Sequence, residues 1–261
     1  MRLKDKVVIV TGSTSGIGEA IARRCVDEGA RVLVHGLEPD LGEAVVSALG
    51  GAAALHVDDL EDPESAPRVV EAALAAFGRI DALVNNAARV ERGTLETTDA
   101  EAFDRVIAVN TRAPLLLIRA ALPELERRRG AVLNIGSVNA YCGEPTFVAY
   151  SASKGALMTL TRNLGDTLHR ERGVRVNQIN PEWVLTEGEK RVQERQGNPP
   201  DWHEKIPPEF APSGRLIQPE EIAAAAVYWI GDESRPISGS VVDLGQFPVI
   251  GRNPPKDLRD R

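Results

Sequence analysis

Two short stretches of this 261-residue chain carry residue types that can do chemistry. In Tyr150-Ser151-Ala152-Ser153-Lys154 a phenol and an ammonium stand four residues apart. On a helix such positions share a face, so the two side chains lie side by side. A tyrosine titrates near ~10 unaided, and an adjacent cation favours its phenolate. That tuning suits a general acid/base acting on an alcohol at neutral pH. The same pair is also common as an ordinary surface pair, so its placement matters: a short loop separates it from the strand end Ile135-Gly136-Ser137. The second stretch is Thr11-Gly12-Ser13-Thr14-Ser15-Gly16-Ile17-Gly18, after the apolar run Val7-Val8-Ile9-Val10 and ahead of a helix. Glycines there allow a tight turn and let backbone N–H groups approach a pyrophosphate, and the helix N-terminus adds partial positive charge. After a first strand and at the mouth of a first helix, a glycine triplet points to a dinucleotide.

The elements that must position these residues are legible as a pattern. Short β-branched runs at 7–10, 32–34, 54–57, 82–84, 132–135, 174–179 and 241–244 read as strands apolar on both faces, as a helix-covered parallel sheet requires. Amphipathic stretches at 19–28, 41–49, 64–77, 99–126, 150–170 and 219–231 read as helices. Gly29 and Gly130 occupy expected helix C-caps, and Pro219 an expected helix start. Strand–helix alternation over the whole length predicts a doubly wound Rossmann-type sheet with helices on both faces. Residues 1–261 read as a single domain. Two segments break the rhythm. Residues 187–213 are polar and proline-rich, too long for a plain connection, and are expected to form a mobile lid in which 189–196 makes about two helical turns and Trp202 buries its ring in the cleft. Residues 247–261 continue past the last strand as a surface arm.

Bulk numbers narrow the function classes. A net charge of −7 argues against nucleic acid or an anionic membrane as the main partner. Cys25 and Cys142 are the only cysteines and stand in unlike contexts, which fits a reducing compartment; Cys25 reads as a core residue and Cys142 as an ordinary thiol beside the pocket. His35, His56, His169 and His203 share no metal-ligand spacing, so no metal site is expected. With no signal-peptide pattern at the start and no apolar run near the ~20 residues of a membrane span, the expected location is cytoplasmic.

From Lys6 to Leu244 the chain resembles the short-chain dehydrogenase/reductase family, on its Gly-x-x-x-Gly-x-Gly spacing, Asn85-Asn86-Ala87-Ala88 and Tyr150-x-x-x-Lys154. The resemblance implies a seven-stranded sheet, a homotetramer or dimer built on the 99–126 and 150–170 helices, and hydride transfer between a nicotinamide cofactor and an alcohol or ketone carbon. It implies Tyr150 as proton-transferring residue and Ser137 as holder of the substrate oxygen. Lys154 would bind the nicotinamide ribose, and Asn110 would help to hold a relay water near it. Cofactor contacts are expected from Gly12, Ser13, Ser15, Gly16, Ile17, Gly18, Gly36, Leu37, Asp59, Leu60, Asn86, Tyr150, Lys154, Pro181, Val184 and Thr186, with Asp59-Leu60 meeting the adenine.

Three departures from the family pattern stand out. Gly36 ends the second strand where NAD-preferring relatives carry aspartate, while neither Ser15 nor Leu37 supplies the basic side chain NADP-preferring relatives often use. Glu182-Trp183 replaces a glycine and a small or apolar residue, and Leu244 replaces the first glycine of the last turn. With no Arg or Lys beside the second strand end, and Glu38 near it, the cofactor is expected to be NAD rather than NADP. Asn139, Glu144 and Glu182 would make a polar rim, with Trp183 and Trp202 beside it, which favours a sugar, polyol or hydroxy acid. Reduction of a 3-oxoacyl thioester on an acyl carrier protein is the second expectation. A non-catalytic dinucleotide-binding sensor is the third, disfavoured because Ser137, Tyr150, Lys154 and Asn110 are all present.

Overall fold

The computed structural model describes residues 1–250, and of these the Cys142 side chain is left aside. Seven strands, β1 (Val7–Val10), β2 (Arg31–Gly36), β3 (Ala53–Val57), β4 (Ala82–Asn85), β5 (Ala131–Ile135), β6 (Arg175–Pro181) and β7 (Val241–Leu244), form one sheet ordered β3-β2-β1-β4-β5-β6-β7. Every pairing is parallel. The chain order reverses direction between β1 and β4, so the loops after these strands diverge and leave a crevice at their carboxyl ends.

Apolar runs give strands here because helices cover both faces. Val8 and Val10 point into one core and Ile9 into the other. The first core is completed by α1 (Gly16–Asp27), α2 (Pro39–Leu49) and α9 (Pro219–Ile230). The second is completed by α3 (Ser65–Phe77), α5 (Ala113–Arg128) and the later turns of α7 (Val148–Arg172). Asp99 starts α4 (Ala100–Ile107) by accepting from the Ala102 amide at 2.8 Å.

Three local expectations need correction. Gly29 has φ +88° just past α1, but at the end of α5 it is Arg129 that turns left-handed, with φ +49°. Gly130 is needed for another reason: a Cβ there would lie 2.5 Å from the Asp81 carbonyl oxygen. The single 99–126 helix is instead α4, one π turn at Ala108–Arg112, and α5. By length and hydropathy the stretch Ala100–Arg128 could cross a membrane, contrary to the reading of the sequence, but Leu117, Ile118, Ala121 and Leu125 of its inner face are buried against the sheet.

The third correction concerns 187–213. It holds α8 (Glu187–Arg195) and a 3-10 turn at Trp202–Glu204, with a four-residue helix α6 (Asn139–Cys142) elsewhere before α7. Thr186 caps α8 by accepting from the Glu189 amide at 3.0 Å. The Trp202 ring does not enter the cleft. It is buried with Ala211 and Leu216 and stacks on Trp183 at 5.3 Å between centroids. An indole in a polar segment needs apolar cover, and Trp183, one of the residues that depart from the family pattern, supplies it. Trp202→Ala is therefore expected to loosen the segment, with proteolytic cleavage between 187 and 213 accelerated by roughly tenfold or more while cleavage elsewhere is unchanged. Equal cleavage of wild type and variant would show that the stacked pair does not tether it.

Candidate active site

The glycine turn after β1 is shaped by close approach. Gly12 has φ +61°, and a Cβ there would lie 2.7 Å from Ala87 Cα; one on Gly18 would lie 2.1 Å from the Gly12 carbonyl oxygen. Asn86 holds the turn from beneath, its Nδ2 donating to the Thr11 and Gly12 carbonyls at 2.9 Å each. Thr11 Oγ1 accepts from the amides of Asn86 at 3.0 Å and Ala87 at 3.1 Å. The result is an open cradle of backbone at the N-terminus of α1, where an anion is favoured. A cleft of about 610 Å³ runs past it. Gly12, Ser15, Gly16, Ile17, Gly18, Gly36, Leu37, Asp59, Leu60, Asn86 and Thr186 all line this cleft.

Ser13, Tyr150, Lys154, Pro181 and Val184 are not among its lining residues. The Ser13 hydroxyl faces inward, donating to the Val10 carbonyl at 2.6 Å and accepting from the His35 amide at 3.0 Å, and so stitches β1 to β2. Pro181 is buried at the end of β6, and Val184 is buried where it bridges to Ile217. Residues not singled out as contacts also line the cleft: Thr14, Asp58, Glu61, Arg89, Arg92, Val109, Phe147 and, from α8, Gly188, Glu189 and Val192. The α8 set, at i, i+1 and i+4, lies on one side of the helix.

At the β2 end the cleft is short of cations. Gly36 has no room for a side chain, since a Cβ would lie 2.5 Å from Thr14 Cγ2. Glu38 turns toward the cleft and accepts from Thr14 Oγ1 at 3.2 Å. His35 is buried, and burial, with His56 stacked at 6.3 Å, pushes its pKa down to about 4, so it is neutral at pH 7. Asp58 is held at about 2, chiefly by Arg68, which donates to its two oxygens at 2.7 and 2.8 Å. Asp59 borders the cleft and also accepts from the Glu61 amide at 2.9 Å.

Tyr150 and Lys154 stand on α7, Ser137 just past β5, and Asn110 in the π turn. The Ser137 hydroxyl lies near enough to Tyr150 to lower its pKa and accepts from the Asn139 amide at 3.2 Å. Lys154 Nζ lies 5.6 Å from the centre of the Tyr150 ring and donates to the Ile135 carbonyl at 2.8 Å. Burial pushes the Lys154 pKa down to about 8. Burial also raises that of Tyr150, against the lowering by Ser137. The sequence reading expected the lysine to favour the phenolate. Here the ammonium is turned to a carbonyl and the phenol is withdrawn from water, so desolvation wins.

Asn110 is fully buried; its Nδ2 donates to Ser153 Oγ at 2.9 Å and the Arg89 carbonyl at 3.1 Å, and its Oδ1 accepts from the Arg89 amide at 2.7 Å. It ties the loop after β4 to α7 and has no direct bond to Lys154. Of the expected rim residues, Asn139 lies beside Ser137 and Glu144 is exposed. Glu182 turns away toward β7, where its Oε2 accepts from the Gln246 amide at 2.8 Å and its carboxyl fills the space over Gly245. Trp183 reaches the cleft only through Glu189, to which its Nε1 donates at 2.9 Å, and Trp202 lies behind it. Cys25 is buried with its thiol pushed up to about 12 by burial, which fits the core reading; the Cys142 side chain and residues 251–261 of the expected arm lie outside the described residues.

Known proteins share this architecture. Residues 12–245 match the family model described as Enoyl-(Acyl carrier protein) reductase. D-threitol dehydrogenase of Mycolicibacterium smegmatis is 37% identical over 94% of this chain and 94% of its own. NADP-dependent (R)-specific alcohol dehydrogenase of Lentilactobacillus kefiri is 31% identical over 94% and 97%. The crystal structure of 3-ketoacyl-(acyl-carrier-protein) reductase from Brucella melitensis complexed with NADH superimposes with a TM-score of 0.83, at 29% identity, covering 93% of this chain and 97% of that one. The chain belongs to the short-chain dehydrogenase/reductase family, whose members are NAD(P)-dependent oxidoreductases.

Proposed function

We propose that the protein interconverts a secondary alcohol and a ketone on a small hydroxylated molecule, a sugar, polyol or hydroxy acid, with NAD as the preferred cofactor. The observation that carries this reading is the convergence of Ser137, Tyr150 and the buried Lys154, whose Nζ lies 5.6 Å from the centre of the Tyr150 ring. The backbone cradle at Gly12–Gly18 fits a pyrophosphate, because its glycines admit no side chain at Gly12 and Gly18 and it stands at a helix N-terminus. When bound, the nicotinamide dinucleotide supplies or accepts the hydride.

The chain's own residues handle the rest. Tyr150 takes the hydroxyl proton in oxidation and returns it in reduction. Ser137 bonds the substrate oxygen as its charge changes. Lys154 holds the ribose side of the cofactor, and its charge eases ionisation of the phenol once it leaves the Ile135 carbonyl. Asn110 acts as a positioning residue that fixes the Arg89 loop against α7. The apolar side chains of Phe103, Leu115 and Val148, exposed on α4, α5 and α7, support assembly of copies of the chain through these helices. Residues 187–213, with Gly188, Glu189 and Val192 facing the cleft, act as a lid that excludes water. Their cleavage should slow when dinucleotide and ketone are both present, and unaltered cleavage would remove the lid from the reading. Reduction of a 3-oxoacyl thioester is the second reading, supported by the likeness to the Brucella protein.

Tyr150→Phe keeps the ring that packs against Phe147 and loses the proton donor. It is expected to lower kcat by roughly a thousandfold or more across a panel of alcohols and ketones, while dinucleotide affinity, followed by fluorescence titration, stays within a few-fold. Substantial residual turnover would sink the assignment, and the panel member turned over best separates hydroxylated substrates from acyl thioesters.

For the cofactor, an inward Glu38 and a neutral His35 leave nothing at the β2 end to balance a 2′-phosphate. The dissociation constant for NAD is expected to be lower than that for NADP, and Glu38→Gln to narrow the gap by roughly tenfold, the removal of one repulsive charge near a partly desolvated site. Tighter NADP binding by the wild type would contradict this.

A further inference from the structure

Charge along the cleft is unevenly matched. Two arginines line it, Arg89 and Arg92. Arg89 donates to Glu61 at 2.5 Å and to Glu91 at 2.9 Å, and Arg105 closes the same network on Glu91 at 3.2 Å. Those acids are therefore taken. Arg92 pairs with no carboxylate among the described residues.

Neutral groups position Arg92 instead. Its guanidinium lies 4.4 Å above the centre of the Phe147 ring, and Nη1 donates to Thr146 Oγ1 at 3.2 Å. The backbone locks the two segments together, with the Gly93 amide donating to the Thr146 carbonyl at 2.9 Å and the Val148 amide to the Gly93 carbonyl at 3.3 Å. Phe147 in turn lies 5.6 Å from the Tyr150 ring, centroid to centroid. A fixed cation with unused donors thus stands one aromatic ring away from the phenol.

Building on the hydride-transfer reading above, we infer that Arg92 binds a carboxylate of the substrate, and that the substrate is a short hydroxy acid or oxo acid rather than a neutral polyol. A guanidinium held over an aromatic ring keeps its remaining donors free for a carboxylate, and less side-chain freedom is lost on binding. Since Arg89 is already neutralised by two acids, one positive charge is available, which suits a monoanion and not a phosphate dianion. Exposed Val90 and buried Phe147, both lining the cleft, flank the path with apolar surface for a short carbon linker.

Matched substrate pairs test this. Dinucleotide-dependent reduction of 3-oxobutanoate and 4-oxopentanoate is compared with that of their methyl esters, and with neutral hydroxyketones, for wild type, Arg92→Gln and Arg92→Lys. Tyr150→Phe serves as the control for the hydride reading. A forked charge-assisted pair corresponds to roughly a tenfold or greater preference in kcat/KM for the better acid over its ester. That ratio is expected to fall to near one in Arg92→Gln, mainly through KM, and to an intermediate value in Arg92→Lys. Taken within each variant, the ratio is insensitive to loss of folded enzyme. A wild-type ratio near one, or an acid preference that survives Arg92→Gln, overturns the inference. So does turnover of neutral hydroxyketones with both acids inert, which leaves the hydride reading standing. If no alcohol or ketone is turned over, or Tyr150→Phe is as active as wild type, the hydride reading fails and this inference falls with it.

Discussion

Lys154 carries its ammonium into the protein interior, where the carbonyl of Ile135 at the end of β5 accepts from it at 2.8 Å. Burying a charge against one neutral acceptor is costly, and the cost appears in the pKa pushed down to about 8. The surrounding elements are arranged to keep it there. α7 crosses the end of β5, Ser153 is locked between the Tyr150 carbonyl at 2.6 Å and Asn110 at 2.9 Å, and Tyr150 meets Ser137 on the adjoining strand end. The phenol, the hydroxyl and the ammonium reach one place because a strand end, a helix and a π turn converge on it.

The cofactor cleft follows from the same sheet topology. Only at the reversal between β1 and β4 do two loops diverge at the carboxyl edge, and there the glycine turn and Asn86 meet. Side chains are excluded by contact: Gly12 faces Ala87, Gly18 faces Gly12, and Gly36 faces Thr14. Close approach of backbone is what a pyrophosphate needs, and Glu38 is the charged side chain at the β2 end of the cleft.

Much of this was legible in the chain. The central strands β1, β4 and β5 could be found because strands buried on both faces are largely apolar, and that run is visible without knowing its neighbours. By contrast, β3 and β7 are only partly buried, and β6 carries Arg175, Asn177, Gln178 and Asn180 among its buried positions. The tyrosine and lysine could be paired because helical spacing alone puts them on one face. What failed were the directions of single side chains. Ser13 sits inside the glycine turn and still faces the core, since the buried His35 amide at the end of β2 needs an acceptor there. Glu182 leaves the rim because Gly245, just past β7 and sixty-three residues away in the chain, makes room for it. Trp202 found its cover in Trp183 and not in the cleft. Arg89, Arg92 and Glu189 were passed over because no spacing rule distinguishes a cleft charge from a surface one; ion pairing in three dimensions does. The helix break at Ala108–Arg112 is marked in the sequence only by Pro114 just after it, which cannot donate to the Asn110 carbonyl, and the Asn110 side chain makes three hydrogen bonds there that no sequence pattern announces.

The most direct measurement of this account is an NMR titration of the Lys154 ammonium in protein carrying ¹⁵N-labelled lysine, without dinucleotide, with Lys154→Met to assign the signal. A midpoint near 8 is expected, well below the ordinary lysine range. A midpoint in the ordinary lysine range, near ~10.4, would mean a hydrated ammonium. The buried charge around which Ser137, Tyr150 and Asn110 are arranged here would then not exist.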